Sequence, residues 1–346
     1  MRDRSRLHHQ IEDPAVTHLA TGVDGYGTAA VQNWSHNPSG FLALNQENKQ
    51  FRATNIDGAI FYREIGRYFI QLGGPFTAAE SKPDLLREFV QYAQRQKKDV
   101  AAMQLLADDA AVYAGNGFHV NQFGSSYAVD LNGYSLRGKK FVKLRNKISR
   151  AERAGLQVRE VTHDNVRADI SDIDRRWLRT KGRFAREMAF MVGEVGGPVQ
   201  NLRRLFVGTM GKETVGYISY SPVYGTQSGW LHDLSRRNEV APPGAMEAIN
   251  WHVIRKITEE GAGYLHFGLT PFTGMSAENQ FPTKNPWLAF LLDKLYDHGS
   301  LVYPAETQLQ YKLKWDPVIL IPDFLAYRGW LTPGKISGLL RAINMI

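Results

Sequence analysis

Residues 230–247, WLHDLSRRNEVAPPGAME, combine side chains that could bind an anion. Asp233 ends a predicted strand, Arg236 and Arg237 follow in a predicted loop, and two prolines before Gly244 open a predicted long helix. The free N–H groups of the helix and the positive end of its dipole would face the same point as the arginines, and Gly244 would allow the backbone to approach closely. This pattern predicts a phosphate site, although an ordinary strand–loop–helix junction with exposed arginines would look similar.

Two lysines near the C-terminus form a second candidate site. The segment LQYKLKWDP at 309–317 alternates Lys312 and Lys314 with Leu313 and Trp315. In a strand, this alternation places both ammonium groups on one side, where they could neutralise an anion. A solvated edge strand protected by lysines has the same pattern, so both interpretations are kept.

The most basic part of the chain is the segment 137–159. It contains nine Lys and Arg residues and a single acid, Glu152, which gives a net charge of 9 − 1 = +8. Read as a helix, the segment has an apolar stripe of Leu144, Ile148 and Ala151. Such a helix could be a solvated connector between two domains. It could equally be a surface that follows the phosphates of a polyanion. The cations on the face beside the stripe are Lys143, Lys147 and Arg150.

Length and composition limit what could position these residues. The chain has 346 residues, 42 Lys and Arg against 34 Asp and Glu, and 43% hydrophobic residues, which suits two compact units and excludes a disordered polymer. It has no cysteine, so disulfides, thiolate catalysis and thiolate metal sites are excluded, and a reducing compartment is indicated. The sequence contains no apolar run of about 18 residues, nor an apolar stretch at its start, so we expect a cytoplasmic protein.

Common catalytic motifs are missing from the sequence. The ten histidines show no H-x-x-x-H spacing, so no metal site is expected. There is no G-x-x-x-x-G-K-S/T phosphate loop, and GTQSG at 225–229 differs from the G-x-S-x-G nucleophile elbow. The glycine cluster GVDGYG at 22–27 shows no strand before it and no helix after it, so it does not predict dinucleotide binding. No cofactor is expected.

Strand and helix patterns alternate along the chain, with short strands from FLAL onward, which indicates a mixed α/β (α+β) fold. We divide it into a loosely structured lead-in over 1–36, a first unit over 37–136, a basic helix over 137–160, a second unit over 161–332 and an amphipathic tail helix over 333–346. The two units have a similar order of elements, which suggests a structural duplication. The tail helix could pack on the core or touch a membrane surface.

The order of these segments resembles a known family, the soluble catalytic domain of bacterial phosphatidylglycerol lysyltransferases (lysyl- and alanyl-phosphatidylglycerol synthases). NPSGFLALNQENKQF and AIFYREIGRYFIQLGGPF are similar to its opening and first sheet, and LRGKKFVKLRNKISRAERAGLQV is similar to its basic helix. WLRTKGRFAREMAFMVGEV resembles its W-L segment, and HDLSRRNEVAPPGAMEAI its D-L-x-R…P-x-G-x-M-D/E stretch. LHFGLTPF resembles its L-G-x-x-P strand, and QYKLKWDPVILIPDFLAY its closing F-K-x-K-F-x-P segment. The matches keep the family's order from about residue 37 onward.

The resemblance implies a tandem of two acetyltransferase-like (GNAT) folds joined by the basic helix, with the active site mainly in the second. It implies an enzyme that moves an amino acid from aminoacyl-tRNA to an acceptor hydroxyl or amine, with aminoacyl-tRNA as co-substrate and no further cofactor. By position, the implied catalytic residues are Asp233, Arg236, Glu247, Lys312 and Lys314. The implied tRNA-binding residues are Lys139, Lys140, Lys143, Lys147, Arg150, Arg153, Arg237 and Gly244.

The chain departs from the family at three points, which bear on the acceptor. It shows no counterpart of the membrane-spanning half, it has serines in GSSYAVDL where the family usually has an acid, and its W-L segment is not a close copy. A related soluble branch passes an amino acid from tRNA to a small amine, hydroxylamine or hydrazine. The expected acceptor is therefore such a metabolite or phosphatidylglycerol, the latter with peripheral membrane contact. The sequence names neither the amino acid nor the oligomeric state.

Two other functions are compatible with parts of the sequence. An acyl-CoA-dependent N-acetyltransferase uses the same fold but needs a Q/R-x-x-G-x-G/A phosphate loop, where RRNEVAPPGA has one glycine and two prolines. A non-catalytic module that binds RNA or a membrane surface would need only the positive charge.

Overall fold

The computed structural model describes residues 24–181, 190–298 and 305–342. In these ranges the chain has a mixed α/β fold, which confirms the predicted class. Within them, no helix combines the length and the apolar character needed to cross a bilayer. The lead-in, the W-L segment and the tail helix extend in part outside the described residues.

Twelve strands and nine α-helices are present in the described residues. The strands are β1 Lys49–Phe51, β2 Gly58–Ile65, β3 Tyr68–Leu72, β4 Phe76–Thr77, β5 Asp99–Leu105, β6 His119–Asp130, β7 Leu156–Val161, β8 Arg204–Met210, β9 Glu213–Val223, β10 Gly229–Arg237, β11 Tyr264–Pro271 and β12 Ile319–Tyr327. The helices are α1 Gly25–Trp34, α2 Lys82–Arg95, α3 Ala107–Gly115, α4 Val142–Arg153, α5 His163–Lys181, α6 Ala245–Glu259, α7 Pro286–His298, α8 Ala305–Leu313 and α9 Pro333–Ala342.

One twisted path of strands connects the whole described molecule. Its order is β1-β2-β3-β5-β12-β6-β11-β10-β9-β8-β7, and β4 pairs with β2 beside this path. Two neighbouring pairs are parallel, β3 with β5 and β10 with β11. Parallel neighbours need a crossover connection, and helices α2 and α6 provide it. The N-terminal half (β1–β6) and the C-terminal half (β7–β12) therefore each contain a parallel pair joined by a helix.

The last strands of the two halves exchange places. Strand β6 ends the N-terminal half but pairs with β11 of the C-terminal half. Strand β12 ends the C-terminal half but pairs with β5 of the N-terminal half. The two exchanged strands run antiparallel to each other at the centre of the sheet, from Ile319 opposite Ala128 to Tyr327 opposite His119. Each half thus depends on a strand from the other to extend its sheet.

The hydrophobic core is formed where apolar sides of the helices pack on the sheet. Helix α2 buries Leu85, Leu86 and Phe89, and Phe89 meets an aromatic layer on the sheet that includes Tyr62, 5.1 Å away between ring centroids. Helix α4 buries the predicted stripe of Leu144, Ile148 and Ala151 in the cluster that also contains α6 and Trp315. Burying this stripe leaves the cationic face of α4 outside the core.

Two predictions near the N-terminus are wrong. Residues 25–34 of the lead-in form helix α1, because the Asp24 side chain caps it by accepting from the N–H of Gly27. A helix therefore begins inside the GVDGYG cluster, at Gly25. The FLAL segment lies in a 3-10 turn, not in a strand, because the side chain of Asn48 donates to the carbonyls of Leu42 and Ala43 and closes the turn.

Three predictions near the candidate site also need correction. The basic helix ends at Arg153, and residues 156–161 form strand β7, paired with β8. Strand β10 does not end at Asp233 but continues through Arg237, paired with β9, so the two arginines lie in a strand and not in a loop. No strand covers the two late lysines: Lys312 lies in helix α8, and Lys314 lies in the turn after it. The helical spacing of Gln308, Tyr311 and Lys312 places all three on one cavity.

Candidate active site

A cavity opens where the parallel strands β10 and β11 part. They pair at only three positions, the last being Leu231 opposite His266. Beyond this point, the pairing of β10 with β9 shifts register beside Asp233, and that of β11 with β6 shifts beside Gly268, which has a left-handed φ of +64°. The cavity between the strands measures about 340 Å³, which is the size range of small-ligand sites. Its polar lining includes His232, Asp233, Arg236, Gln308, Tyr311 and Lys312.

Asp233 presents a fully buried carboxylate at this point. Its Oδ2 accepts a hydrogen bond from the hydroxyl of Ser221 and lies 3.9 Å from Nε of Arg203. Its Oδ1 has no hydrogen-bond partner among the described residues. Burial raises the pKa of Asp233 to about 6, against the opposing effects of Arg203, the hydroxyls of Ser221 and Ser219, and the backbone of Leu234. A buried acceptor atom without a partner indicates that a ligand group or water completes the site.

Arg236 lines the same cavity but is already paired. Its Nη1 lies 2.9 Å from Oδ1 of Asp174 on α5, and its guanidinium carbon lies 4.7 Å from the ring centroid of Trp177. Only 2% of the residue is exposed. Arg237 alternates to an exposed position on the same strand. Arg236 therefore supports the cavity wall formed by Trp177, and the two arginines do not act together as the sequence predicts.

Lys312 is buried and also lines the cavity. Its ammonium donates to the carbonyls of Gly268 and Leu269, at 2.7 and 2.9 Å, where β11 leaves its partner strand. Burial lowers the pKa of Lys312 to about 7, and the charge of Asp323 opposes this effect. The lysine thus satisfies backbone groups that the splayed strand leaves unpaired, and it remains available for proton exchange near neutral pH.

Polar residues behind the cavity were not predicted from the sequence. His232 Nδ1 lies 3.1 Å from Oδ1 of Asn250 on α6, and the same oxygen accepts from the Tyr220 hydroxyl at 2.7 Å. Burial lowers the pKa of His232 to about 4, so the imidazole is neutral at physiological pH. The ring of Tyr311 lies 5.7 Å from that of His232. The position of His232 directly before Asp233 was the one sequence signal that could have identified it.

Glu247 and Lys314 lie outside the cavity, together with the basic helix. Oε1 of Glu247 lies 3.3 Å from Nζ of Lys147 and 3.1 Å from Nζ of Lys314. A Cβ at Gly244 would lie 2.1 Å from the carbonyl oxygen of Lys147. Gly244 therefore allows α4 to approach the start of α6, and the predicted phosphate position at this helix end is filled by α4 and the Glu247 carboxylate. The Lys314 ammonium lies 5.2 Å from the ring of Tyr311, so this cluster adjoins the cavity.

Most of the predicted tRNA-binding cations lie on an exposed surface. Lys143, Lys147 and Arg150 follow one flank of α4, which leads to the Glu247 cluster. Lys140, in the 3-10 turn before α4, pairs with Asp316 near the end of α8. The remaining exposed members of this set are Lys139, Arg153 and Arg237.

In the described residues, no three His, Asp or Glu side chains are close enough together to hold a metal ion. The expectations of no metal and no cofactor for the whole chain stay predictions.

Comparison with known proteins matches most of the chain to one family. The family model described as "Phosphatidylglycerol lysyltransferase, C-terminal" matches residues 28–327. The phosphatidylglycerol lysyltransferase of Bacillus subtilis (strain 168) is 27% identical over 296 residues, which is 84% of this chain and 33% of that protein. The enzyme of the same name from Staphylococcus aureus (strain COL) is 21% identical over 324 residues, 90% of this chain and 37% of that protein. The chain thus spans about a third of the length of these curated relatives.

A solved structure shares the fold. The structure of L-PGS from Bacillus licheniformis superposes with a TM-score of 0.75 at 22% identity, covering 94% of this chain and 98% of that one. This chain therefore shares its overall fold with that structure.

Proposed function

The chain belongs to the phosphatidylglycerol lysyltransferase C-terminal family, and on that premise we propose that it is an aminoacyltransferase. It would move an amino acid from aminoacyl-tRNA to an acceptor hydroxyl or amine. The acceptor would be a small amine, hydroxylamine or hydrazine, or phosphatidylglycerol reached by peripheral contact with a membrane. The observation that carries the proposal is the buried carboxylate of Asp233, which has an unpartnered oxygen at a cavity that Lys312 also lines.

Surface charge supports tRNA as the donor. The cationic flank of α4 reaches Lys314, whose ammonium faces Tyr311, and Tyr311 lines the cavity. A tRNA bound on this flank would release counterions condensed on its phosphates. The 3′ end of that tRNA would lie near the cavity. Lys143, Lys147 and Arg150 would follow the acceptor stem.

The reaction needs no covalent nucleophile from the protein, because the aminoacyl ester is already activated. The acceptor nitrogen or oxygen forms a bond to the ester carbonyl carbon and loses a proton. The bond from that carbon to the 3′ oxygen of the terminal adenosine breaks, and this oxygen takes up a proton. The site must hold the reacting atoms about 3–3.5 Å apart and stabilise the developing negative charge.

The cavity residues can divide this work. Asp233, with a pKa of about 6, is mainly ionised at pH 7, so its carboxylate can anchor the α-ammonium of the aminoacyl group or accept the acceptor's proton. Lys312, with a pKa of about 7, can donate to the developing oxyanion. Arg236 would hold the Trp177 wall in place through Asp174 and would not bind phosphate directly.

The closed start of helix α6 disfavours the acyl-CoA alternative. A diphosphate would need the free N–H groups at this helix end, but α4 and Glu247 occupy the position. Calorimetry with acetyl-CoA tests this point, and tight binding would favour the N-acetyltransferase.

The proposal is tested by presenting charged tRNAs with a panel of small amines and with phosphatidylglycerol vesicles, and by identifying the products by mass spectrometry. We expect one acceptor-dependent aminoacyl product. Asp233→Asn should lower kcat by about 100-fold or more, as expected for a lost acid–base or anchoring group, and should leave tRNA affinity nearly unchanged. Asp164→Asn, at an exposed aspartate of α5, is the control. Hydrolysis without an acceptor product, or equal loss of turnover and tRNA binding in Asp233→Asn, would contradict the proposal.

A further inference from the structure

A buried arginine connects the N-terminal half to Asp233. The Arg203 side chain is 0% exposed and lies just before β8. Its Nη2 donates to Oδ1 of Asn45 at 2.7 Å, its Nε donates to Oγ of Ser221 at 3.3 Å, and its guanidinium carbon lies 5.0 Å from the ring centroid of Phe41. Asn45 and Phe41 belong to the N-terminal half, whereas Ser221 is the residue that donates to Asp233. Arg203 thus links two parts of the chain that are far apart in sequence.

Asn45 also fixes the segment that covers Asp233. Its Nδ2 donates to the carbonyl of Val192 at 2.9 Å, and the next residue, Gln46, donates its N–H to Oε1 of Glu194 at 3.0 Å. Between them lies Gly193, where a Cβ would stand 2.3 Å from Cγ of Asp233. Only a glycine allows this cover to lie directly on the carboxylate. The N-terminal half therefore contributes both the anchor of Arg203 and the bonds that hold the cover in place.

The charged groups around Asp233 include Arg236 and Lys312, which line the same cavity, and a cluster that reaches it from the N-terminal half. Arg203 Nη1 lies 3.7 Å from Oε1 of Glu194. Glu194 is also influenced by Arg63 and Glu47 of the N-terminal half, which form an ion pair at 3.1 Å. Arg203 is the cation that faces Asp233 most directly, and a buried carboxylate without a cation would become protonated.

We infer that Arg203 is a positioning residue through which the N-terminal half holds the carboxylate of Asp233 in place and in its charged form. A planar guanidinium suits this role, because it donates to Asn45 and Ser221 at once while its charge lies close to two acids. The inference rests on the proposed function only for the use of Asp233 in transfer, since the protonation of Asp233 can be measured without any substrate.

The test is a pH titration of the Asp233 carboxyl by carbon-13 NMR on the full chain with labelled aspartate, the signal being identified by its loss in Asp233→Asn. Removing the cation in Arg203→Met should move the midpoint to higher pH by about one unit or more, and Arg203→Lys should move it less. Arg204→Met is a matched control, because the neighbouring Arg204 pairs with Glu160 and Glu260 away from the cavity. An unchanged midpoint in Arg203→Met, or an equal shift in Arg204→Met, would overturn the inference.

A milder variant keeps the inference testable if Arg203→Met does not fold. Asn45→Ala removes the acceptor of Nη2 but no charge. We expect a smaller upward shift of the Asp233 midpoint, a lower kcat with unchanged tRNA affinity, and a loss of activity on acidification that begins at a higher pH. If the midpoint and the pH profile of Asn45→Ala match the native chain, the N-terminal half has no such role. Failure of the proposed function is distinguishable, because Asp233→Asn would then retain transfer while the titration still depended on Arg203.

Discussion

Burial moves the pKa values of three ionisable groups in and beside the cavity toward neutrality. The pKa of Asp233 rises to about 6, and that of Lys312 falls to about 7. Asp323 on β12, which accepts from the Ser126 hydroxyl at 2.6 Å, has a pKa raised to about 7. Groups that exchange protons near neutral pH are typical of catalytic sites. A pKa that differs between the folded and unfolded chain makes the free energy of unfolding depend on pH. The pKa shifts can therefore be measured by unfolding experiments without any substrate.

Lys312→Met should change how stability depends on pH. The folded pKa of Lys312, about 7, lies below its ordinary value of 10.5, so between these values the unfolded chain binds more protons and the native chain gains stability as pH rises. The maximum slope is about 1.4 kcal/mol per pH unit. Lys312→Met should lose this rise and should be less stable at pH 9, because the carbonyls of Gly268 and Leu269 lose their donor.

Urea unfolding at pH 7, 8 and 9 measures this effect. Lys143→Met, at an exposed lysine of α4, is the control and should keep the native slope. Parallel slopes for the native chain and Lys312→Met would mean that the lysine is not held with a lowered pKa.

Among the elements, helix α4 has two sides with different tasks. Leu144, Ile148 and Ala151 bury one side against the core, and the approach allowed by Gly244 brings α4 onto the start of α6. The exposed flank keeps its cations, although one of them, Lys147, shares the Glu247 carboxylate with Lys314. Through this shared contact with Glu247, the exposed flank of α4 adjoins Lys314 and, beside it, the cavity.

Charge reversal on this flank should weaken tRNA binding. The triple change Lys143→Glu, Lys147→Glu and Arg150→Glu should raise the Kd at least about 10-fold and flatten its dependence on salt, because each lost phosphate contact lowers the slope by about 0.9. Filter binding at several salt concentrations measures both quantities. The control makes the same charge change at exposed cations of α5 and the β8–β9 turn: Arg167, Arg175 and Lys212. Equal effects in the two triple variants would remove α4 from the tRNA surface.

For the whole molecule, the exchange of β6 and β12 makes the two halves interdependent. Strand β12 fills the position between β5 and β6, where Phe324 and Ala326 are buried. Arg203 and Asn45 add a buried polar connection beside the cavity. The halves therefore differ from two domains on a linker, since their sheets and the site itself use residues from both.

A fragment of residues 1–160 should consequently not fold on its own. It would lack β11 and β12, the neighbours of β6, so strand edges and the apolar surface of β5 would be exposed. We expect no cooperative thermal unfolding by circular dichroism, in contrast to the full chain. Adding back residues 161–346 should restore cooperative unfolding, whereas cooperative unfolding of the fragment alone would show that the exchanged strands are dispensable.

Features with a local cause were predictable from the sequence. The stripe of Leu144 and Ile148 indicated the buried side of α4, and the alternation of strand and helix patterns indicated the mixed α/β fold. The order of motifs also identified the family, which the match over residues 28–327 confirms. The roles assigned to individual site residues stay predictions.

Other features depended on contacts that the sequence does not display. Alternation suggested a strand at Lys312, but packing of the Tyr311 side chain and Trp315 against the core selects a helix. Arg236 looked like a free cation, yet it pairs with Asp174, and Arg203 gave no signal before its contacts with Asn45 and Asp233 were visible. The sequence determined the periodicities, the overall charge and the family, because these depend on near neighbours and residue types. The tertiary structure decided which charges are buried, which are paired and where β12 inserts, because burial and pairing arise between residues that only folding brings together.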